Sequence, residues 1–259
     1  MIYLKTEEEI EYLREANQIV SRTFGEIAKY VAPGITTLEL DRIAEECIRS
    51  QGAVPGFKGL YGFPGTMCIS VNEAVVHGYP SNYVLKEGDI VSCDCGAVIH
   101  GFNGDSTYTF PVGEISEEAR KLLRTTKESL YEGIAKALPG NRIGDISNAI
   151  QTYCEKRGYS VVRELTGHGV GKKLHEDPAV PNYGRRGVGP LIKNGMVIAI
   201  EPMINQGSKN VVFENGMECR TKDRKLSAHF EHSVAIHNDK ADILSTFEYV
   251  EAVLGERAI

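Results

Sequence analysis

Four acidic residues stand where a strand would ordinarily carry apolar ones. Asp94 interrupts Ile90-Val91-Ser92-Cys93-Asp94-Cys95, and Asp105 opens the apolar stretch that follows. Glu201 closes Met196-Val197-Ile198-Ala199-Ile200, and Glu231 precedes His232-Ser233-Val234-Ala235-Ile236. A carboxylate buried in such a run needs an ion pair, a shared proton or a cation. Any one of them alone reads best as a salt bridge or a sheet edge. Four, two from each half of the chain, exceed what ion pairs readily explain, and the set reads as a metal site. Alternation along a strand turns Asp94 away from Cys93 and Cys95. A hairpin that sets Asp94 opposite Asp105 centres its turn between Ile99 and His100, and facing carboxylates then require a cation or a shared proton.

A fifth candidate is His168, in Thr166-Gly167-His168-Gly169-Val170-Gly171, where the glycines permit close backbone packing that aims the imidazole. As a phosphate loop this run is weak, because the dinucleotide fingerprint places its third glycine later and needs a following helix. Four carboxylates and one imidazole hold two divalent cations if some carboxylates bridge. Oxygen-rich ligation with one histidine favours Mn(II) or Fe(II), with Zn and Co also suited. Of the six cysteines, only Cys93 and Cys95 are close, one residue apart, too tight for a zinc ribbon.

The elements that must position these residues repeat. The three- and four-residue spacing of apolar positions predicts helices over 6–30, with a capping box from Thr6 to Glu9, and from about Thr37 to Ser50. The pattern recurs over 117–138, broken by Leu138-Pro139-Gly140, and in a helix closed by Gly158. The offset is 106 residues, mapping Pro33 on Pro139, Gly34 on Gly140 and Gly52 on Gly158, which favours an internal duplication with a site between the halves. Strands are predicted over 89–99 and 104–112, joined by a turn containing Gly101-Phe102-Asn103-Gly104, and over 195–204 and 228–236. Helices followed by antiparallel hairpins imply an α+β fold, one domain of two similar halves.

Lys and Arg total 29 against 35 Asp and Glu, a net charge of −6, so the basic surplus of a nucleic-acid binder is missing. Residues 1–9 have neither a basic region nor an apolar core of a signal peptide, and no apolar run approaches the roughly 20 residues of a membrane span. The expectation is a cytoplasmic, monomeric protein with free thiols, binding neither nucleic acid nor membrane.

Asp94, the eleven-residue step to Asp105, Thr166-Gly167-His168-Gly169, Ile200-Glu201-Pro202-Met203 and Glu231-His232 resemble the signature of the type I methionine aminopeptidases. The resemblance covers nearly the whole chain. It implies the pita-bread fold, two pseudo-symmetric halves around a dinuclear site, in a single catalytic domain over 1–259. It implies that Asp94 chelates one metal, that His168 and Glu201 bind the other, and that Asp105 and Glu231 bridge both. It further implies that His77 lies near the substrate N-terminus and that His175 hydrogen-bonds the scissile carbonyl. The methionine pocket would be walled by Phe57, Leu60, Phe63, Cys68, His77 and Leu174, with Met217 where some members carry tryptophan. The implied activity is removal of the N-terminal methionine from nascent proteins, near the ribosome, when the second residue is small. A hydroxide bridging two divalent metals would attack, and Glu201 would shuttle its proton to the leaving amine. Proline peptidases usually carry a long N-terminal domain, against about 90 residues before Asp94 here. The type II enzymes carry a helical insertion, for which the path from Glu201 to Glu231 is short. A non-catalytic relative would lose ligands, and all five positions are intact.

Overall fold

The computed structural model of the chain describes residues 1–214 and 216–259. Its first half runs α1 (Glu7–Ala28), α2 (Thr37–Ser50), β1 (Val54–Pro55), β2 (Met67–Val71), β3 (Ala74–Val76), β4 (Ile90–Ile99) and β5 (Phe102–Pro111). The second runs α3 (Glu117–Ile134), α4 (Ile143–Glu155), β6 (Ser160–Val161), β7 (Gly167–Gly169), β8 (Glu176–Val180), β9 (Val197–Ile200), β10 (Met203–Asn205), β11 (Val211–Glu214), β12 (Glu218–Thr221), β13 (Ser227–His229), β14 (Glu231–His237), β15 (Lys240–Ile243) and α5 (Glu248–Leu254).

The helices start where local chemistry says they should. Thr6 accepts from the Glu9 amide at 3.3 Å while the Glu9 carboxylate accepts from the Thr6 amide at 3.1 Å, the predicted capping box. Three glutamates in the first turn of α1 complement the helix dipole. Helix α3 ends at Ile134, four residues short of the predicted 138. Pro139 disfavours helical geometry at the residue before it, and the chain leaves α3 through i to i+3 bonds, Lys136 to Gly133 and Ala137 to Ile134.

The main sheet runs β1-β4-β5-β14-β9-β7-β8, with β2 also on β4 and β15 also on β14. The halves meet at the antiparallel β5–β14 pair, Glu231 against Thr107 and His232 against Ser106. The duplication is visible in detail. Gly34 and Gly140 both have positive φ and donate to Leu85 and Ile192, and the isolated bridges Thr36–Val84 and Arg142–Leu191 match. One continuous apolar cluster joins the halves, with Phe24 and Leu40 from the first, Leu122 and Ile150 from the second, and Tyr108 and Phe230 beneath them.

The predicted hairpin register is corrected. Asp94 pairs with Thr107 and Asp105 with Gly96, two residues from the expected facing pair, and the turn is His100-Gly101 alone. Such a two-residue turn needs positive φ at both positions, here 53° and 77°. The expected register would have put the β-branched Ile99 there, which its sterics oppose. A shift of two leaves both carboxylates on one face as diagonal neighbours. The strands predicted over 195–204 and 228–236 are each broken. β9 gives way to β10 at Glu201-Pro202, and β13 to β14 at Phe230. β10 and β13 pair in a separate small sheet with β6.

Candidate active site

Alternation on β4 does what the sequence predicts. Cys93 and Cys95 enter the apolar cluster, and Asp94 turns to the other face and lines a cavity of about 230 Å³. Asp105 and Glu231 reach the same cavity from β5 and β14, His168 from β7, and Glu201 from the break after β9. One ligand atom from each of Asp105, His168 and Glu231 lies within 4.8 Å of the others. His168 Nε2 is 3.5 Å from Asp105 Oδ2 and 3.6 Å from Glu201 Oε1.

The glycines around His168 are required by packing. A Cβ at Gly167 would lie 2.3 Å from the Ala199 carbonyl oxygen, and one at Gly169 would lie 2.2 Å from that of Asp177. Only glycine lets β7 sit this close to its neighbours. His168 Nδ1 donates to the Gly169 carbonyl at 2.9 Å, which leaves Nε2 as the lone-pair nitrogen facing the carboxylates.

Three buried carboxylate oxygens, Asp94 Oδ1, Asp105 Oδ1 and Glu231 Oε1, have no hydrogen-bond partner among the described residues. Buried polar atoms are nearly always paired, so a convergent group of unpaired acceptors signals a cation. The donor set, hard oxygens with one imidazole, fits divalent metal ions. Burial pushes the Asp94 carboxyl up to about 7, against hydrogen bonds from Thr107 and the Cys95 backbone that hold it down. Burial, and then mutual repulsion, drives Asp105, Glu201 and Glu231 well above the usual carboxylate range. Burial, with His175 adding to it, lowers His168 to about 4, so its imidazole is neutral and free to ligate.

Beside the carboxylates, Phe57, Phe63, Cys68 and Leu174 form a separate buried apolar cluster, with Leu60, Tyr79 and Met217 packed on it. Gly96 makes room for it, since a Cβ there would lie 2.6 Å from the Phe57 ring. His77 adopts a left-handed φ of 59° directly after β3, a conformation that costs about 1–2 kcal/mol and turns its ring into the cavity. The His175 ring meets the His168 ring edge to face at 4.4 Å. The segment bearing His175 is tied down by a buried ion pair, Lys5 Nζ to Glu176 Oε2 at 2.7 Å.

Of the thirteen site and pocket residues named from sequence, twelve line one cavity. Leu60 does not line it, although Tyr61 does. Sequence reading missed Thr107, whose hydroxyl donates to Glu231 Oε2 at 2.8 Å, and Asn182, whose side chain holds the Glu201 carbonyl at 2.8 Å. It also missed His229, two residues before Glu231, which lines the same cavity.

Residues 11–238 match the pattern of a family described as Metallopeptidase family M24. The methionine aminopeptidase of Clostridium perfringens is 56% identical over 246 residues, covering 95% of this chain and 99% of that protein. Methionine aminopeptidase 1 of Bacillus subtilis is 53% identical over 246 residues, covering 95% and 99%. The crystal structure of methionine aminopeptidase from Rickettsia prowazekii superposes with a TM-score of 0.94 at 37% identity, over 95% of this chain and all of that one.

Proposed function

Because the chain belongs to metallopeptidase family M24 and shares its fold with the methionine aminopeptidases, we propose that it removes the N-terminal methionine from newly made proteins. It is a metal-dependent hydrolase with the pita-bread fold. The observation that carries the reading is a set of five side chains suited to ligate metal around one cavity, three of them with oxygens unpaired among the described residues, beside an apolar pocket.

In this proposal two divalent ions are held. Asp94 would chelate one, His168 and Glu201 would hold the other, and Asp105 and Glu231 would be shared between them. Ions so held supply Lewis acidity and water activation at neutral pH. The protein's residues do the rest. Phe57, Phe63, Cys68 and Leu174 take the thioether side chain, which adapts to irregular apolar walls. His77 and His175 flank the scissile bond, and neutral His175 donates a hydrogen bond to its carbonyl. Burial lowers both imidazoles below their ordinary value, which keeps them neutral. Glu201 takes the proton of the attacking water and passes it to the leaving amine. The imidazoles crowd the position after methionine, so only small second residues bring the carbonyl into place. In this proposal the partners are the N-termini of nascent chains and the protein is a monomer in the cytoplasm; the net charge of −6 argues against nucleic acid as a partner. Among the described residues no helix is long and apolar enough to cross a membrane.

The test is peptide hydrolysis by metal-stripped protein resupplied with Mn(II), Fe(II), Co(II) or Zn(II), over peptides varied at the first two residues. The expected result is no cleavage without metal and cleavage of Met-Ala, Met-Gly and Met-Ser but not Met-Lys or Met-Phe. Full activity in verified metal-free protein overturns the metal mechanism. Preference for Xaa-Pro peptides overturns the substrate assignment.

A further inference from the structure

His229 is buried to 2% exposure on the cavity wall, and neither of its ring nitrogens has a hydrogen-bond partner among the described residues. Its backbone is clamped from two sides. It pairs with Met203 across β10–β13, and Thr109 of β5 both accepts from its amide at 3.0 Å and donates to its carbonyl at 2.6 Å. The ring is therefore aimed by the scaffold, at Glu201: Nε2 stands 3.8 Å from Oε2. The other Glu201 oxygen, Oε1, stands 3.6 Å from His168 Nε2. Glu201 is thus flanked by two imidazoles, one per oxygen. His168 spends its Nδ1 proton on a carbonyl and faces Glu201 with a lone pair, whereas His229 has no competing partner among the described residues and can present Nε2–H.

We propose that His229 is a positioning residue for Glu201: its Nε2–H donates to Oε2 and so assigns the two oxygens different tasks, Oε1 on the His168 side for the metal and Oε2 for the proton in transit. The inference rests on the proposed roles of Glu201. A ring with two unpaired nitrogens adds nothing to the fold, and an apolar side chain of similar size would serve packing better. Its place is explained by what it does for the carboxylate. Fixing a ligand's free oxygen from outside the metal sphere tunes both affinity and geometry.

The experiment compares His229→Met and His229→Leu, which lack a donor, with His229→Gln, whose amide N–H has similar reach. Turnover and KM on a Met-Ala peptide, Mn(II) affinity by titration calorimetry and melting of the metal-free protein are measured for each. The donor-less variants are expected to lose about 10²-fold in kcat with KM within about twofold. They are also expected to bind Mn(II) about tenfold more weakly and to melt no lower than wild type. His229→Gln should recover most of kcat and of the affinity. Turnover of His229→Met within about threefold of wild type, or His229→Gln as slow as His229→Met at equal metal content, overturns the assignment. Wild-type inactivity on Met-Ala with metal present instead sinks the proposed function, and calorimetry still reads the His229 contribution.

Discussion

The two halves present their carboxylates from unlike strands. In the first, β4 and β5 pair without a gap from Ile90–Pro111 to Ile99–Phe102, and two short aspartates rise from a rigid hairpin. In the second, both carrying strands break, at Glu201-Pro202 and at Phe230, and the carboxylates are the longer glutamates. The breaks are tied to one another by the Phe230 amide on the Pro202 carbonyl at 3.5 Å. The first half is a wall. The second is a wall broken in two places, and its half also brings His168, His175 and His229 to the same cavity. The two halves repeat a scaffold but present their carboxylates differently, from an unbroken hairpin in one and from interrupted strands in the other.

The largest expected effect treats the two carboxylate pairs as one. All four folded-state carboxyls lie above their ordinary values, so the folded metal-free chain holds protons that the unfolded chain has released. Stability conferred by a raised folded pKa is present below the unfolded value and is lost as pH rises through the folded one. Below about pH 6.5 the buried neutral histidines, His168 at about 4 and His229 at about 3, oppose this, since their lowered values favour the fold as pH rises. Above about pH 6.5 the carboxyls act alone. The metal-free protein is expected to lose about 1.4 kcal/mol per pH unit for each carboxyl still protonated in the fold. Calorimetry of chelated protein between about pH 6.5 and 8 reads the slope. A metal-loaded sample should be flat, and a flat metal-free profile breaks the electrostatic account.

Next in size is the asymmetry itself. Glu201→Gln should lower turnover on Met-Ala peptides by about 10²–10⁴-fold, checked at measured metal content. Near wild-type turnover would show that the interrupted half has no special task.

The smallest effects separate the two faces of the straight hairpin. A Cβ at Gly104 would lie 2.4 Å from the Ala16 backbone, so Gly104→Ala forces α1 off the sheet and is expected to cost about 1–3 kcal/mol in denaturant unfolding. A Cβ at Gly96 meets the Phe57 ring, which can turn. Gly96→Ala should therefore raise KM for Met-Ala peptides several-fold with a smaller loss of stability. Equal losses of stability in the two variants would erase the distinction between a packing face and a pocket face.

How much was legible varies with the range of the interaction. The capping box at Thr6 and Glu9, the ends of α2 and the turn away from the core at Asp94 follow from neighbours in sequence, and the sequence shows them. The register of β4 on β5 lies two residues from the one that brings Asp94 and Asp105 face to face. The preference of Gly101 for positive φ, and the aversion of Ile99 to it, already favoured the observed register. The breaks at Glu201-Pro202 and Phe230 were read through as continuous strands, since each is stabilised by the other across the fold. Thr107 and His229 were missed because an uncharged threonine and a single histidine mean little until a carboxylate is seen beside them.

By itself the sequence determined which side chains could bind a metal, that the carboxylates among them come two from each half, and that glycines flank His168. Those are matters of residue type, strand alternation and a repeat of 106 residues. Tertiary structure alone decided that three carboxylate oxygens would be buried without partners among the described residues, and that Glu201 would stand between two imidazoles. Distance and desolvation depend on strands far apart in the chain, and it is desolvation that turns five ordinary polar residues into a site avid for cations.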